Sequence, residues 1–253
     1  MKTKFGLVAG LFLFAGNMLN AQSSFFVSGG YGFSMASDVV QTSYAEKQNS
    51  PTCIKQIHGS YGAGFSGTIG YTKMLTANFG IELGTSYKRG GSIDSKSEFP
   101  IRTVEFPDGT GEIAAFTRKA HVNYIGIMPA AIIKSSMNWF SPYAKFGFIF
   151  AFPKGHDAES LWHTSADIEY TGPMAFGYTG AVGTEFALYN TTFFTEFNAV
   201  SLSWKVTKRK WTSSDGSSTQ SGTMPPLGGT ISDVNWRFPL SSIDINVGVR
   251  IGL

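Results

Sequence analysis

The stretch Ser60–Thr72, SYGAGFSGTIGYT, alternates in character at nearly every step. Tyr61, Ala63, Phe65, Gly67, Ile69 and Tyr71 share one parity, and Ser60, Gly62, Gly64, Ser66, Thr68, Gly70 and Thr72 share the other. Successive side chains of an extended strand point to opposite faces, so one face is aromatic and apolar and the other small and polar. A soluble sandwich would turn its large apolar residues inward. Here the small set suits a narrow lumen, and the large set, bounded by Tyr61 and Tyr71, suits lipid with an interfacial aromatic at each end. The pattern recurs along the chain and predicts an all-β membrane barrel.

Strands are predicted at Ser24–Ser34, Gly59–Thr72, Ala77–Arg89, Ala120–Lys134, Phe140–Phe152, Met174–Leu188, Thr192–Val206 and Ser241–Leu253. Each is long enough for a tilted bilayer crossing, which takes about 9–11 residues. The connectors alternate strictly between two classes. Lys73–Thr76, Ser135–Trp139 and Tyr189–Thr191 are short. Met35–His58, Gly90–Lys119, Pro153–Pro173 and Thr207–Leu240 are long and rich in Gly, Ser, Thr, Asp and Pro. Bacterial outer-membrane barrels have short periplasmic turns and longer external loops, and an even strand number puts both chain ends in the periplasm. The expected architecture is therefore an eight-stranded antiparallel up-and-down barrel with four long external loops.

The chain start fits that destination. Lys2 and Lys4 precede the apolar stretch Phe5–Ala15, too short for a spanning helix, and small or polar residues lead to Ala21-Gln22. Residues 1–21 read as an export signal cleaved after Ala21, leaving 22–253 as the barrel domain. Removing Lys2 and Lys4 and no acid lowers the formal charge from +3 to +1. A nearly neutral chain gives no case for a nucleic-acid partner. No other segment approaches a spanning helix, and no convincing 3.6-period stretch is present. Cys53 is the only cysteine, so no internal disulfide forms, and it reads as an incidental loop residue.

The two faces separate strand by strand. Phe65, Phe79, Ile81, Leu83 and Tyr87 fall on the lipid side, and Asn78, Gly80, Glu82, Gly84 and Ser86 on the lumen side. Phe146, Phe148, Phe150 and Phe152 oppose Lys145 and Gly147; Phe176, Tyr178, Val182 and Phe186 oppose Gly177, Thr179, Gly183 and Glu185. In the last strand Ile243, Ile245, Val247, Val249 and Ile251 oppose Asp244, Asn246, Gly248 and Arg250. Two strands are less regular. Val122–Ile133 is apolar at both parities and contains Pro129, and the polar parity of Thr192–Val206 weakens after Asn198. Both features predict a bulge.

This arrangement resembles the small eight-stranded outer-membrane barrels of the OmpA and OmpX type found in Gram-negative bacteria. The likeness covers essentially the whole chain after residue 21 and is one of architecture, not of a diagnostic motif. It implies residence in the outer membrane, contact with its lipid and lipopolysaccharide, insertion by the barrel assembly machinery, and a monomer. Two departures stand out. Leu253 occupies the place where such barrels usually end in an aromatic that the assembly machinery recognises, and nothing matching the peptidoglycan-binding domain of full OmpA is present.

Other motifs have plainer explanations. Gly62, Gly64 and Gly67 satisfy the dinucleotide fingerprint, yet no helix follows to hold a pyrophosphate, so lumen room and curvature explain them better. His156, Asp157, Glu159, His163 and Asp167 crowd one long connector without the spacing of an established metal site. Lys205, Lys208, Arg209 and Lys210 form a basic run where the seventh strand leaves the membrane, suited to the phosphates and acids of lipopolysaccharide or simply to water. His121 is the one histidine on a predicted strand, and no hydroxyl nucleophile and third group accompany it. Neither a catalytic site nor a cofactor is predicted.

Glu82, Lys145, Glu185, Glu196 and Arg250 all fall on the lumen parity, about three to five residues from a short-turn end, so at roughly 3.3 Å per residue they share one layer. An eight-stranded barrel is just wide enough for side chains to fill it, and a lone buried charge is costly, so an ionic network is expected to plug the lumen. Three acids against two bases leave one acid in surplus. The expected role is structural or surface-interactive, through the long connectors toward an external ligand or protein. Alternatives are small-barrel transport of hydrophobic compounds, a secretion or assembly accessory barrel, and, less favoured, a lipid-modifying enzyme. Protease added to whole cells should cut the long connectors and spare the barrel core. Cleavage confined to Lys73–Thr76 or Ser135–Trp139 would show the topology inverted.

Overall fold

The computed structural model describes residues 22–35, 39–45, 53–100, 113–135, 140–161, 164–188, 191–213, 219–223 and 237–253. The proposed signal, residues 1–21, lies outside them. The strands are β1 (Ser23–Ser34), β2 (Val39–Ala45), β3 (Cys53–His58), β4 (Gly64–Met74), β5 (Phe79–Gly90), β6 (Ile93–Pro100), β7 (Ile113–Lys134) and β8 (Phe140–Leu161). They continue as β9 (Thr164–Thr171), β10 (Ala175–Leu188), β11 (Thr191–Lys205), β12 (Lys208–Ser213), β13 (Thr219–Thr223), β14 (Arg237–Pro239) and β15 (Ser242–Gly252).

Eight of these, β1, β4, β5, β7, β8, β10, β11 and β15, pair antiparallel in that order. β15 returns to β1 from Ser24↔Gly252 to Ser34↔Ser242, so the barrel closes and none of the eight is left as an edge. These strands coincide with the eight segments marked by alternation. β5 shows the reason most plainly: it reads exposed then buried at every step from Phe79 to Arg89. Outside, Phe65, Ile81, Phe148, Val182 and Val247 are exposed, and Phe150 is half-covered by the Phe176 ring, 5.3 Å away between centroids. An apolar surface that encircles a protein needs something other than water against it.

The structure departs from the sequence reading in three places. First, the long connectors are largely β. β7 begins at Ile113, β8 runs through Pro153 to Leu161, and β9, β12 and β13 extend the ladder beyond the barrel. β6 likewise pairs with the outer half of β7. Polar composition hid these strands: β9 exposes Asp167 and Glu169, and β12 exposes Lys208 and Lys210.

Second, neither bulge exists. β7 keeps one register with β5 from Phe79↔Ile133 to Arg89↔Asn123, passing Leu83↔Pro129. Against β8, pairing lapses at Met128 and Pro129 and resumes unshifted at Ala130↔Gly147. The missing proline N–H leaves a gap and not an extra residue. β11 also holds a single register with β10. Its residues after Asn198 look irregular because Val200, Leu202 and Trp204 fill a buried core.

Third, Tyr61 is not an outward aromatic but is 1% exposed. The strand starts only at Gly64, whose φ of +133° suits glycine, and residues 61–62 form a turn. The Tyr61 N–H donates to the Pro239 carbonyl at 2.9 Å, which swings the ring inside. Gly62 and Gly64 therefore serve a turn, with strand and not helix following. Gly147, on the lumen parity as expected, has no room for a side chain: a Cβ there would run into the Pro129 carbonyl and lie 2.8 Å from Ala130 Cα.

Set in a bilayer, the outward band should resist charge. Phe148→Arg or Val247→Arg should cost about 2–4 kcal/mol near the midplane. Gly84→Ala, whose added Cβ meets only side-chain atoms at 3.4–3.6 Å, should be close to neutral. Urea midpoints of the refolded barrel in lipid vesicles give the ranking; the reverse order would mean the faces are swapped.

Candidate functional site

The inward side chains stack in layers from the short-turn end toward the long connectors. In the lowest, Lys145 of β8 lies between Glu82 of β5, 2.8 Å from its Oε1, and Glu196 of β11, with which it also forms an ion pair. Arg250 of β15 lies 3.2 Å from Glu82 Oε2 and 3.2 Å from Glu185 Oε1 of β10. Neighbouring hydroxyls complete the layer. Thr72 donates to Glu82 at 2.9 Å, Tyr143 donates to Glu196 at 3.0 Å, and Arg250 donates to Thr72 at 2.6 Å. Phe26 takes both cations against its ring, with Lys145 Nζ 5.7 Å and Arg250 Cζ 5.4 Å from the centroid.

A sixth member escaped the sequence reading. Lys134 Nζ lies 2.5 Å from Glu185 Oε2. The signal for it was present: Lys134 shares the even, inward parity of Val122 and Ile132 but sits at the last residue of β7. Glu82, Glu185 and Glu196 thus face Lys134, Lys145 and Arg250, so the surplus acid disappears.

Above this layer the lumen stays polar for one more level. Lys88, 2% exposed, places Nζ 2.5 Å from Asp244 and 2.7 Å from the Ser242 hydroxyl, and Thr179 donates to Asn198 at 2.7 Å. Then the interior turns apolar. Phe238 is its hub, with Tyr61, Tyr170 and Trp204 rings at 5.1, 5.2 and 5.9 Å, and Val122, Tyr124, Ile149, Leu202 and Leu240 around them. Spacings of this order are favourable for aromatic pairs.

At the top, Arg118 of β7 donates to Asp157 of β8 at 2.5 Å and to the Tyr170 hydroxyl at 3.3 Å, with Glu159 at 3.5 Å. Burial opposes the Arg118 charge, but Asp157, Tyr170 and Tyr61 together outweigh it and hold the pKa above the ordinary guanidinium value. Burial pushes the Tyr170 phenol upward, and Asp157 adds to that.

The acids and histidines of the third long connector do not converge. Asp157 points inward, while His156 points outward with Nε2 3.6 Å from Asp167; His163 lies outside the described residues. Among the described residues no His, Cys, Asp or Glu group is arranged to hold a metal. His121 is not the sole strand histidine, since its ring meets that of His156 on β8 at 5.3 Å. Burial lowers the His121 pKa, helped by His156 and Arg89. Of the basic run, Lys205, Lys208 and Lys210 are exposed, and the Arg209 backbone pairs with Tyr170 and Gly222. Cys53 opens β3.

Closed pairing, an apolar exterior and a polar lumen agree with what the sequence matches. Residues 5–222 fit the family described as the outer membrane protein beta-barrel domain. The chain belongs to that family. It is accordingly an outer-membrane β-barrel protein, here with a buried ionic network. No curated protein matches its sequence.

Among solved structures, a major outer membrane protein from Thermus thermophilus is similar at a TM-score of 0.51 and 14% identity, over 91% of this chain and 99% of that one. The Neisserial surface protein A gives 0.45 and 10% over 90% and 96%. The outer membrane protease OmpT from Escherichia coli gives 0.49 and 9% over 94% and 99%. Identities this low speak to fold alone.

Replacing one member of the lower layer should unbalance it. Lys145→Met leaves Glu82 and Glu196 without their shared cation and should cost about 3–5 kcal/mol, the usual penalty for orphaning a buried charge. Lys134→Met, at a site 24% exposed, should cost clearly less. Equal urea midpoints for wild type and Lys145→Met would show that water already carries these charges.

Proposed function

We propose that this outer-membrane barrel is a closed, non-conducting surface protein that acts through the β-hairpins it holds above the membrane. The observation that supports this is the filled interior: an ionic layer, a polar layer and an aromatic layer lie in series along the lumen. A vestibule of about 470 Å³, bordered by Gln22, Thr76, Lys134 and Glu185, occupies the turn end. Deeper in, the space beside Glu82, Lys145 and Glu196 is about 30 Å³, room for one or two waters.

On this reading the long-connector end is external, the barrel is a monomer inserted by the barrel assembly machinery, and the hairpins meet an external ligand or protein. Catalysis has no support from the residues themselves. The histidine pair His121 and His156 lies on the outward wall, with rings against each other.

Planar-bilayer recording tests the proposal. Wild type should pass little current. Lys145→Ala with Arg250→Ala should destabilise the barrel, yet conductance should stay low because the aromatic layer still blocks the path. Adding Trp204→Ala and Phe238→Ala should raise it. Large, steady wild-type conductance would overturn the closed-lumen reading and favour transport.

A further inference from the structure

One residue at the short-turn end stands beside the ionic layer without belonging to it. Gln22 is exposed and borders the vestibule of about 470 Å³ together with Thr76, Lys134, Ser141, Glu185 and Thr192. It also borders a smaller hollow of about 50 Å³ that reaches Arg250 and Gly252. Its backbone is already tied into the wall. The Gln22 carbonyl accepts the Met74 N–H at 3.0 Å. The next residue, Ser23, lies opposite Lys73 and accepts the Leu253 N–H at 2.9 Å. The bond to Met74 engages only the carbonyl of residue 22.

Cleavage after Ala21 would make Gln22 the first residue of the exported chain and free its nitrogen as an α-amine. Geometry and charge then favour the same outcome. A five-membered lactam closes through the nitrogen, Cα, Cβ, Cγ and Cδ of one glutamine and leaves out the carbonyl carbon. Ring closure is therefore compatible with the bond to Met74. The charges at this end are already matched, with Lys134, Lys145 and Arg250 answering Glu82, Glu185 and Glu196. An α-ammonium on residue 22 would add a fourth cation at the mouth that holds Lys134, with no acid of the layer left for it. A lactam is neutral.

Resting on the export-signal reading, we propose that Gln22 is a modification site, whose freed α-amine attacks its own side-chain amide and closes to pyroglutamate. The N–Cδ bond forms, the bond from Cδ to the amide nitrogen breaks, and that nitrogen leaves as ammonia with a proton from the amine. No oxidant or second reactant enters the balance. An α-amine ordinarily titrates near pH 8, so about a tenth of it is unprotonated and nucleophilic at pH 7. The product keeps the carbonyl bond to Met74 and adds no charge to the vestibule. It also leaves the start of β1 without the free amine that an aminopeptidase requires.

The test uses the full chain, made in a Gram-negative host that exports it and extracted from the outer membrane. Intact mass and fragmentation of the N-terminal peptide are measured. The chain should start at residue 22 and be about 17 Da lighter than unmodified 22–253, the mass of one ammonia. N-terminal sequencing should fail until pyroglutamyl aminopeptidase removes the first residue. Gln22→Asn, one methylene shorter, would have to close a four-membered ring and should keep both its full mass and its amine. Heat-modifiable gel mobility confirms that the variant folds.

A chain that starts at Gln22 with full mass and a free amine would overturn the lactam and leave the signal reading standing. A chain that starts at any other residue would overturn the cleavage site and the lactam with it. Loss of ammonia from Gln22→Asn as well would place the reaction at another amide and overturn the assignment to Gln22.

Discussion

Inside hydrocarbon no water is available to satisfy a backbone N–H or carbonyl, so every strand must find partners on both sides. The pairing of β15 with β1 meets that demand for the last two edges. Much of the remaining structure follows from it. Eight strands enclose a bore that side chains can just fill, and each strand must place alternate residues there. The bore therefore receives one residue in two, whatever its polarity, and the chain must arrange for those residues to satisfy one another. Glu82, Lys145 and Glu196 come from three different strands to do so. Arg250, from the strand that closes the barrel, links Glu82 to Glu185, so closure and the interior charge layer depend on each other.

Period 2 allows only two orientations, and for that reason parity is enough to separate Phe148 from Gly147 or Val247 from Asn246. It is silent on which inward residues touch. Lys134 was overlooked because it ends its strand and because an apolar stretch precedes it, yet it supplies the cation that balances Glu185. Lys88 and Asp244 each carried the inward parity, but their contact depends on how β5 and β15 face each other across the bore. The outward cations are harder still to read. Arg89 follows an inward Lys88, while Lys154 and Arg237 stand alone in sequence; Asn123 lies between Arg89 and Lys154, and Lys205 stands opposite Arg237, only through strand register. The limits of the strands were obscured for a different reason: a hairpin standing in water needs no apolar outer face, so polar composition made it look like loop.

β11 shows what governs the change. Within the band its outward residues include Phe193 and Phe197 and its inward ones Glu196 and Asn198; beyond it the outward residues are Ser201, Ser203 and Lys205, and the inward ones Val200, Leu202 and Trp204. The two faces exchange polarity near Ala199 without any change in register. On β7 only the outer face changes, with outward Ile127 and Ile125 giving way to Asn123 and His121, while Tyr124 and Val122 continue an inner face already apolar at Met128 and Ile132. What looked like a bulge is the water line.

The exchange has a physical necessity. In the bilayer the outer face is matched to lipid, so the bore can be polar provided its charges are paired. Above the bilayer the same strands stand in water, where a short hairpin is marginally stable without an apolar face to bury. The only place left to bury it is the space enclosed by the strand extensions. Phe238, Trp204, Tyr61 and Tyr170 occupy that space and give the extensions a core of their own. That core seals the lumen as a consequence of holding the hairpins upright. A barrel of this kind cannot keep both a rigid external sheet and an open pore at eight strands, and the residues here serve the sheet.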